Sequence, residues 1–192
     1  MNVLGISGSP NPNGNTSYAV RHALEFLQSE GFSTRFISLA GKAIQPCIGC
    51  WNCADTQQCI YEDMAEIYEA MRWCQGLLIG SPVYFGLVSG QLKVMMDRCV
   101  VFRPSYDAPM EMAGKVGGGI ACGGFRNGGQ ETTLQNIQTF LLQQNMLVIN
   151  DGSGFSHAGG TIVGEAKDDS LGLRTVENLA RNMTSVLRRQ GA

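Results

Sequence analysis

The stretch VLGISGSPNPNGNTS, from Val3 to Ser17, combines features that together indicate one class of fold. It begins with a short apolar run, Val3 to Ser7, which is typical of a buried β-strand. A loop of glycine and small polar residues follows, and a helical pattern then runs from Thr16 to Glu30. A buried strand that leads through such a loop into a helix predicts the first unit of a parallel α/β sheet.

The rest of the chain repeats this alternation of short apolar runs and longer helical patterns. Four further strands are predicted, at Thr34–Leu39, Gly76–Gly80, Val116–Cys122 and Met146–Ile149. Four further helices are predicted, at Asp63–Trp73 (with a capping box over Asp63–Glu66), Ser89–Phe102, Gln130–Gln144 and Leu171–Arg189. Apolar strands separated by helices indicate a sheet covered on both faces. We therefore predict a flavodoxin-like, doubly wound, five-stranded parallel sheet of order 2-1-3-4-5, in one domain spanning residues 1–192.

Composition excludes several classes of protein. The chain has 192 residues, of which 44% are hydrophobic, and this is enough for one domain with its own core. A formal net charge of -2 provides no basic surface for nucleic acid. There is no secretory signal and no apolar run long enough to cross a bilayer. Seven cysteines in such a chain indicate reduced thiols rather than a disulfide framework, so we expect a cytoplasmic protein that contacts neither nucleic acid nor membrane.

The first loop, Ser7 to Ser17, is suited to a phosphate group. It lacks lysine and arginine, but free amides at a helix N-terminus bind an anion well, and small hydroxyl groups add hydrogen bonds. Neither a Walker pattern nor G-x-G-x-x-G is present, so one terminal phosphate fits better than a pyrophosphate. The alternative is a polar capping loop without a ligand. The candidate phosphate-binding residues are Ser7, Ser9, Asn15, Thr16 and Ser17.

The second loop, Ser81 to Gly86, follows the third strand. Its proline stiffens the turn, and its glycine lets the backbone approach a ligand. Two adjacent aromatic side chains beside open amides suit a flat heteroaromatic ring. The alternative is that both aromatics only cap the core. The candidate ring-binding residues are Pro82, Val83, Tyr84, Phe85 and Gly86.

Four of the seven cysteines lie in the cysteine loop, residues 45–60, with the spacing C-x2-C-x2-C-x5-C. Three thiols this close can surround one corner of a [4Fe–4S] cluster, and the fourth can complete it. Structural zinc sites more often use two separated C-x2-C pairs. Unligated or redox-active thiols are a third possibility. The candidate ligands are Cys47, Cys50, Cys53 and Cys59.

The other candidate residues give weaker signals. His157 lies in a polar, glycine-rich loop and is a candidate for proton transfer, against a simple hydrogen bond within the loop. Cys74, Cys99 and Cys122 lie in or next to apolar elements, so a structural role is expected for their thiols.

Three sequence motifs resemble the NADPH-dependent FMN reductase superfamily of flavodoxin-like flavoproteins. They are S-G-S-P at Ser7–Pro10, G-S-P-V-Y-F-G at Gly80–Gly86 and S-G-Q-L-K-x-x-x-D-R at Ser89–Arg98. The resemblance implies FMN, with its phosphate on the first loop and its ring against the second. The third loop, Gly123 to Glu131, would close over the ring with Gly123 and Gly124. Many relatives carry a basic residue where this chain has Asn11, so its phosphate site would depend on dipoles and hydroxyl groups.

The cysteine spacing, placed after the second strand, resembles the iron–sulfur flavoproteins of anaerobic archaea and bacteria. The stretches R-N-G-G-Q-E at Arg126–Glu131 and F-S-H-A-G-G-T at Phe155–Thr161 extend the resemblance. It implies electron transfer with a ferredoxin-like donor or NAD(P)H, in a homodimer or homotetramer. Two other functions stay open. One is an NAD(P)H-dependent FMN or quinone reductase without a working cluster, and the other is a non-catalytic electron carrier or redox sensor.

Overall fold

The structure of the protein is a computed structural model in which residues 1–103 and 109–191 are described. In these ranges the strands are β1 (Asn2–Ser7), β2 (Ser33–Ser38), β3 (Gly76–Pro82), β4 (Val116–Gly123), β5 (Leu147–Val148) and β6 (Gly160–Val163). The α-helices of the same ranges are α1 (Asn15–Ser29), α2 (Asn52–Thr56), α3 (Ala65–Trp73), α4 (Gly90–Arg98), α5 (Gln130–Gln143) and α6 (Ser170–Gln190). Short 3-10 turns follow α4 at Cys99–Phe102 and precede α6 at Ala166–Asp168.

The strands form one parallel sheet of order β2-β1-β3-β4-β5, which confirms the predicted flavodoxin-like arrangement. The fifth position is shared by two short strands. β5 pairs with β4 at Val116 and Gly117, whereas β6 pairs with β4 further along, at Ile120 to Gly123. The prediction of five strands was therefore incomplete, because a four-residue strand that begins with glycine gives little apolar pattern.

Glycines in the central strands let α1 lie very close to the sheet. A Cβ atom at Gly5 would fall 2.7 Å from side-chain atoms of Val20 and Leu24. One at Gly80 would fall 3.0 Å from Cγ2 of Thr16, in the first turn of the helix. The N-terminus of α1 is thus held directly over the ends of β1 and β3.

The core lies on both faces of the sheet. Side chains of α1 and α6, including Val20 and Leu179, cover one face. Side chains of α3, α4 and α5, including Met71, Met95 and Leu141, cover the other. Among the described helices, none is both long and apolar enough to cross a bilayer.

Two local predictions were wrong, one for the start of α3 and one within the cysteine loop. The residue that precedes α3 is Met64, and no side chain caps the helix, so the predicted capping box is absent. The Asp63 carboxylate instead accepts hydrogen bonds from the Gln45 amide, at 2.7 Å, and from Arg98. The cysteine loop also contains α2, which the sequence pattern did not predict, because a five-residue helix is too short to show periodicity.

Candidate functional site

The three predicted loops lie at one edge of the sheet, where the parallel strands end. The Gly8 amide donates to the carbonyl of Gly80 at 2.8 Å, which joins the first loop to the second. The Val83 amide donates to the carbonyl of Cys122 at 2.9 Å, which joins the second loop to the end of β4. These bonds bring the loops together at the carboxyl ends of the strands, where open α/β sheets bind their ligands.

The hydroxyl groups of the first loop form a buried network beneath the start of α1. The Ser7 and Ser17 Oγ atoms lie 2.9 Å apart, and the Ser9 amide donates to Ser7 Oγ at 3.4 Å. All three serines are buried. Their side chains are therefore fixed before any ligand binds.

The first turn of α1 has open backbone donors. Gly14 precedes the helix, and no side chain caps its N-terminus. Within the described part of the chain, the amides of Asn15, Thr16 and Ser17 have no hydrogen-bond acceptor. Open amides at the positive end of a 15-residue helix form an anion-binding position.

The Asn15 side chain has a different role from the one predicted for it. Its Nδ2 donates to the carbonyl of Gly164 at 2.9 Å, and its Oδ1 accepts from the Ala166 amide at 2.9 Å. These bonds tie α1 to the segment after β6. The backbone amide of Asn15 and the second Nδ2–H are the donors that these bonds do not use.

The second loop contains a tight turn that presents its aromatic side chains to solvent. Tyr84 and Leu87 exchange two backbone hydrogen bonds, each 3.0 Å long. Between them, Phe85 and Gly86 have φ angles of 52° and 77°. Phe85 is fully exposed and Tyr84 is about half exposed. The aromatics do not cap the core, which removes the simpler interpretation of this loop.

The third loop packs directly against the second. A Cβ atom at Gly129 would fall 2.6 Å from Cα of Gly86, and Thr132 Oγ1 donates to the carbonyl of Gly86 at 2.7 Å. The Gln130 side chain is buried and shapes the loop, because its Nε2 donates to the carbonyl of Phe125 at 2.8 Å. Gly123 ends β4 beside Gln130, whereas Gly124 is exposed with open space around it.

The four cysteines of the cysteine loop line one cavity of about 320 Å³. Cys47 and Cys50 are exposed at its opening, Cys53 is buried, and Cys59 is half-buried. Burial raises the pKa of the Cys53 thiol, and the three neighbouring thiols raise it further. The opposite wall is formed by the end of α4 and the turn after it, with Asp97, Arg98 and Val100.

The thiols are not grouped around one point. Among the described residues, no three His, Cys, Asp or Glu side chains are placed as ligands of a single metal ion. Sulfur ligands of one zinc ion lie about 2.3 Å from it, so they must also lie close to one another. The four thiols therefore share one cavity without forming a ready-made site for a single ion.

Two comparisons with known proteins agree with this geometry. A family model described as NADPH-dependent FMN reductase matches residues 1–160. An iron–sulfur flavoprotein of Methanocaldococcus jannaschii is 47% identical over 193 residues, which cover 98% of this chain and 98% of the relative. One of Methanosarcina thermophila is 37% identical over 97% of this chain and 95% of its own. The chain belongs to the iron–sulfur flavoproteins of the NADPH-dependent FMN reductase family.

Family membership makes this iron–sulfur flavoprotein an FMN-dependent oxidoreductase. A solved structure agrees on the fold. The flavodoxin, WrbA-like protein of Agrobacterium tumefaciens superposes with a TM-score of 0.67 at 16% identity, with 98% of both chains covered.

His157 of the flavoprotein is tied into its own loop. Its amide donates to Asp151 Oδ1 at 2.6 Å, and its Nδ1 lies 3.2 Å from Asp151 Oδ2. The Asp151 carboxylate is buried, whereas about half of the imidazole is exposed. This arrangement orients the ring, and proton transfer by His157 stays a prediction.

The three scattered thiols of the flavoprotein are buried and unpaired. Burial raises the pKa of Cys74 to about 11 and that of Cys122 to about 12, and it raises the pKa of Cys99 as well. Thiols held neutral in this way are poor nucleophiles and poor ligands. Their environment agrees with the structural role expected for them.

Sequence reasoning missed Arg98, whose guanidinium joins the wall of the cysteine cavity. One signal was available, because the arginine lies three positions after Met95 and directly before Cys99, both of which are buried. An arginine at such a position is nearly always paired.

Proposed function

We propose that this protein is a redox enzyme that carries FMN and a [4Fe–4S] cluster and transfers electrons between a ferredoxin-like or NAD(P)H donor and an acceptor. The observation that carries the proposal is the convergence of four thiols on one cavity in a chain with an FMN reductase fold. FMN exchanges electrons in pairs or singly, whereas a cluster of this type exchanges them singly.

The first loop is proposed to hold the FMN phosphate. The open amides of Asn15, Thr16 and Ser17 supply donors, and the buried Ser7 and Ser9 add hydroxyl groups. No second phosphate-binding glycine motif accompanies this loop, which favours FMN over a dinucleotide flavin.

The second loop is proposed to hold the flavin ring. Pro82 and Val83 continue from the end of β3, and the turn that follows keeps Tyr84 and Phe85 outside the core, where they are free to contact a planar ligand. Gly86 allows close approach of the backbone. Gly123 and Gly124 would approach from the side of β4, where neither carries a side chain that would fill the cleft.

The cysteine cavity is proposed to hold the cluster on Cys47, Cys50, Cys53 and Cys59. Four thiolates are the donors that a [4Fe–4S] cluster requires. Ile48, Trp51 and Ile60 surround the opening with exposed apolar side chains, a composition suited to contact with another protein. We extend the proposal to a homodimer or homotetramer in which this rim lies at or near a subunit contact.

Two other functions are kept as alternatives. The matched family model, which describes NADPH-dependent FMN reductases, favours an NAD(P)H-dependent FMN or quinone reductase whose cysteine loop is unused. The flavodoxin-like fold favours a non-catalytic carrier or redox sensor whose partners are proteins. Turnover of NAD(P)H with a quinone supports the first alternative, and exchange only with reduced proteins supports the second.

The test compares two electron donors in one variant. If the cysteine cavity lies on the path from ferredoxin, reduced ferredoxin should reduce the bound FMN of Cys50→Ala at least tenfold more slowly than that of the wild type. Reduction by NAD(P)H should be unchanged, because hydride reaches the flavin without passing through the cavity. Cys74→Ala, which removes a buried thiol elsewhere, is the matched control. Equal ferredoxin rates in wild type and Cys50→Ala would contradict the proposal.

A further inference from the structure

Arg98 is one of the most buried side chains of the molecule, although it carries a permanent charge. Its side chain is 1% exposed, and it lies at the last residue of α4, in the wall of the cysteine cavity. Burial of a guanidinium is costly unless its donors are paired. The contacts of Arg98 therefore indicate what this charge does.

Four of its hydrogen bonds go to the two ends of the cysteine loop. Before the cysteines, Nη1 donates to the carbonyl of Gln45 at 2.6 Å. After them, Nη2 donates to the carbonyl of Tyr61 at 3.3 Å and to Asp63 Oδ1 at 2.8 Å, while Nη1 lies 3.4 Å from Asp63 Oδ2. One side chain thus holds the start of the loop against its end.

The fifth donor of Arg98 has no partner. Within the described residues, Nε is buried and makes no hydrogen bond. A guanidinium has five N–H groups, and leaving one of them buried and unpaired costs free energy. The unpaired Nε–H indicates that its hydrogen-bond acceptor is supplied by a ligand in the cysteine cavity.

The charged residues that line the cavity also favour a negatively charged acceptor for Arg98. Among the residues that line it, Arg98 is the one cation, and the other charged residue, Asp97, is paired with Lys93 at 2.7 Å on the exposed side of α4. Thiolate and sulfide sulfurs are negatively charged and accept hydrogen bonds. Hydrogen bonds and charges around an iron–sulfur cluster set its reduction potential.

We infer that Arg98 is the positioning residue of the cysteine site, which clasps both ends of the cysteine loop and directs its Nε–H and its positive charge toward the sulfur atoms. The inference rests on the proposed function, since it requires that the four thiols hold a cluster. It assigns Arg98 two effects. The clasp slows loss of the cluster, and the buried charge favours its more reduced, more negative form.

The test replaces the ion pair as a unit. Arg98→Met combined with Asp63→Asn leaves no carboxylate without its ion-pair partner, and the new amide oxygen can still accept from the Gln45 amide. Removal of a residue that supports metal ligands typically lowers metal affinity about 10–100-fold. We therefore expect the double variant to release iron to a chelator faster by about that factor. The cluster potential should also fall, because Arg98 lines the cavity and Asp63 does not.

Lys93→Met combined with Asp97→Asn is the matched control. It removes an ion pair from the exposed side of the same helix, so iron release should stay as in the wild type. The potential should not fall, because Asp97 lines the cavity and Lys93 does not. Arg98→Lys keeps the positive charge but loses the planar guanidinium that bonds both ends of the cysteine loop. Iron release from this variant should therefore be fast, while its cluster potential stays near the wild-type value. This variant supplies the iron-release measurement if the double variant does not fold.

The outcomes separate the inference from the proposed function. Wild-type protein purified without oxygen that contains no iron or sulfide would refute the cluster itself. A wild-type cluster with unchanged release and potential in the Arg98 variants would overturn the inference alone. A lower melting temperature with an unchanged potential in Arg98→Met combined with Asp63→Asn would show that Arg98 acts only as a structural clasp.

Discussion

The first loop and the cysteine loop are built in opposite ways. In the first loop, Ser7 and Ser17 are almost completely buried, and the loop is bonded to the ends of the central strands. In the cysteine loop, Ile48 and Trp51 are 63% and 70% exposed, and the loop is joined to the core largely through its ends. The fold itself positions the first loop, whereas the ends of the second are hydrogen-bonded to one buried side chain, Arg98.

This difference predicts that FMN and the proposed cluster can be lost independently. A change in the cysteine loop should leave the sheet and the FMN position intact, because the loop lies outside the strands. A change in the first loop should leave the cysteine cavity intact, because no residue of the first loop lines it.

The largest effect is expected from Cys53→Ala. Cys53 is the buried member of the four cysteines, and a [4Fe–4S] cluster needs four ligands. Iron and sulfide content should fall to background, while FMN content stays at the wild-type level. Iron, sulfide and flavin are measured on anaerobically purified protein, with Cys74→Ala as the matched control. Loss of FMN and iron together would show that the cysteine loop supports the whole fold.

A smaller but selective effect is expected from Thr16→Asp. Thr16 is buried in the first turn of α1, so a carboxylate there would lie close to the proposed position of the FMN phosphate, and like charges in an interface cost several kcal/mol. A cost of about 3 kcal/mol corresponds to about a hundredfold weaker FMN binding. Titration of the apoprotein with FMN measures this affinity. Ser29→Asp adds the same charge at the far, exposed end of α1 and should bind FMN normally. Unchanged affinity in Thr16→Asp would place the phosphate elsewhere.

The smallest effect is expected from Ser89→Ala. Ser89 Oγ accepts from the Leu92 amide at 3.3 Å and donates to the carbonyl of Gly8 at 2.5 Å, so it caps α4 and braces the first loop. Loss of such a cap typically costs about 1–2 kcal/mol. The free energy of unfolding, measured with denaturant, should fall by that amount, while the open amides of α1 are unaffected. Ser170→Ala, at the exposed start of α6, should change it by less. An equal loss of unfolding free energy in both variants would show that Ser89 does not brace the first loop.

The sheet was predictable because β1 and β3 at its centre are short, buried, largely apolar runs separated from the other strands by helices, and because the first strand, loop and helix are distinctive. β6 was not predictable, since Gly160–Val163 lies after a glycine-rich loop and is recognised only through its pairing with β4. The capping box failed because Asp63 is bonded to Arg98, a partner 35 residues away in the sequence. Propensity rules describe local bonds and do not contain such a partner.

The candidate site shows the same limit. The spacing of the four cysteines was visible in the sequence, and the structure brings all four to one cavity. The side chain of Asn15 looked like a phosphate ligand, but its amide group is bonded to Gly164 and Ala166, far along the chain. Residue type gives the chemistry that is available, and tertiary contacts decide which part of it stays free.

The divided fifth position of the sheet has a further consequence for how molecules of this protein meet one another. An uninterrupted edge strand is a template for pairing with other chains, and it can start aggregation. Here one edge is broken into β5, with two residues, and β6, with four. At the other edge, β2 carries Arg35, which is bonded to Glu69 at 2.9 Å. Short segments on one side and a charge on the other make both edges poor sites for adding a foreign strand.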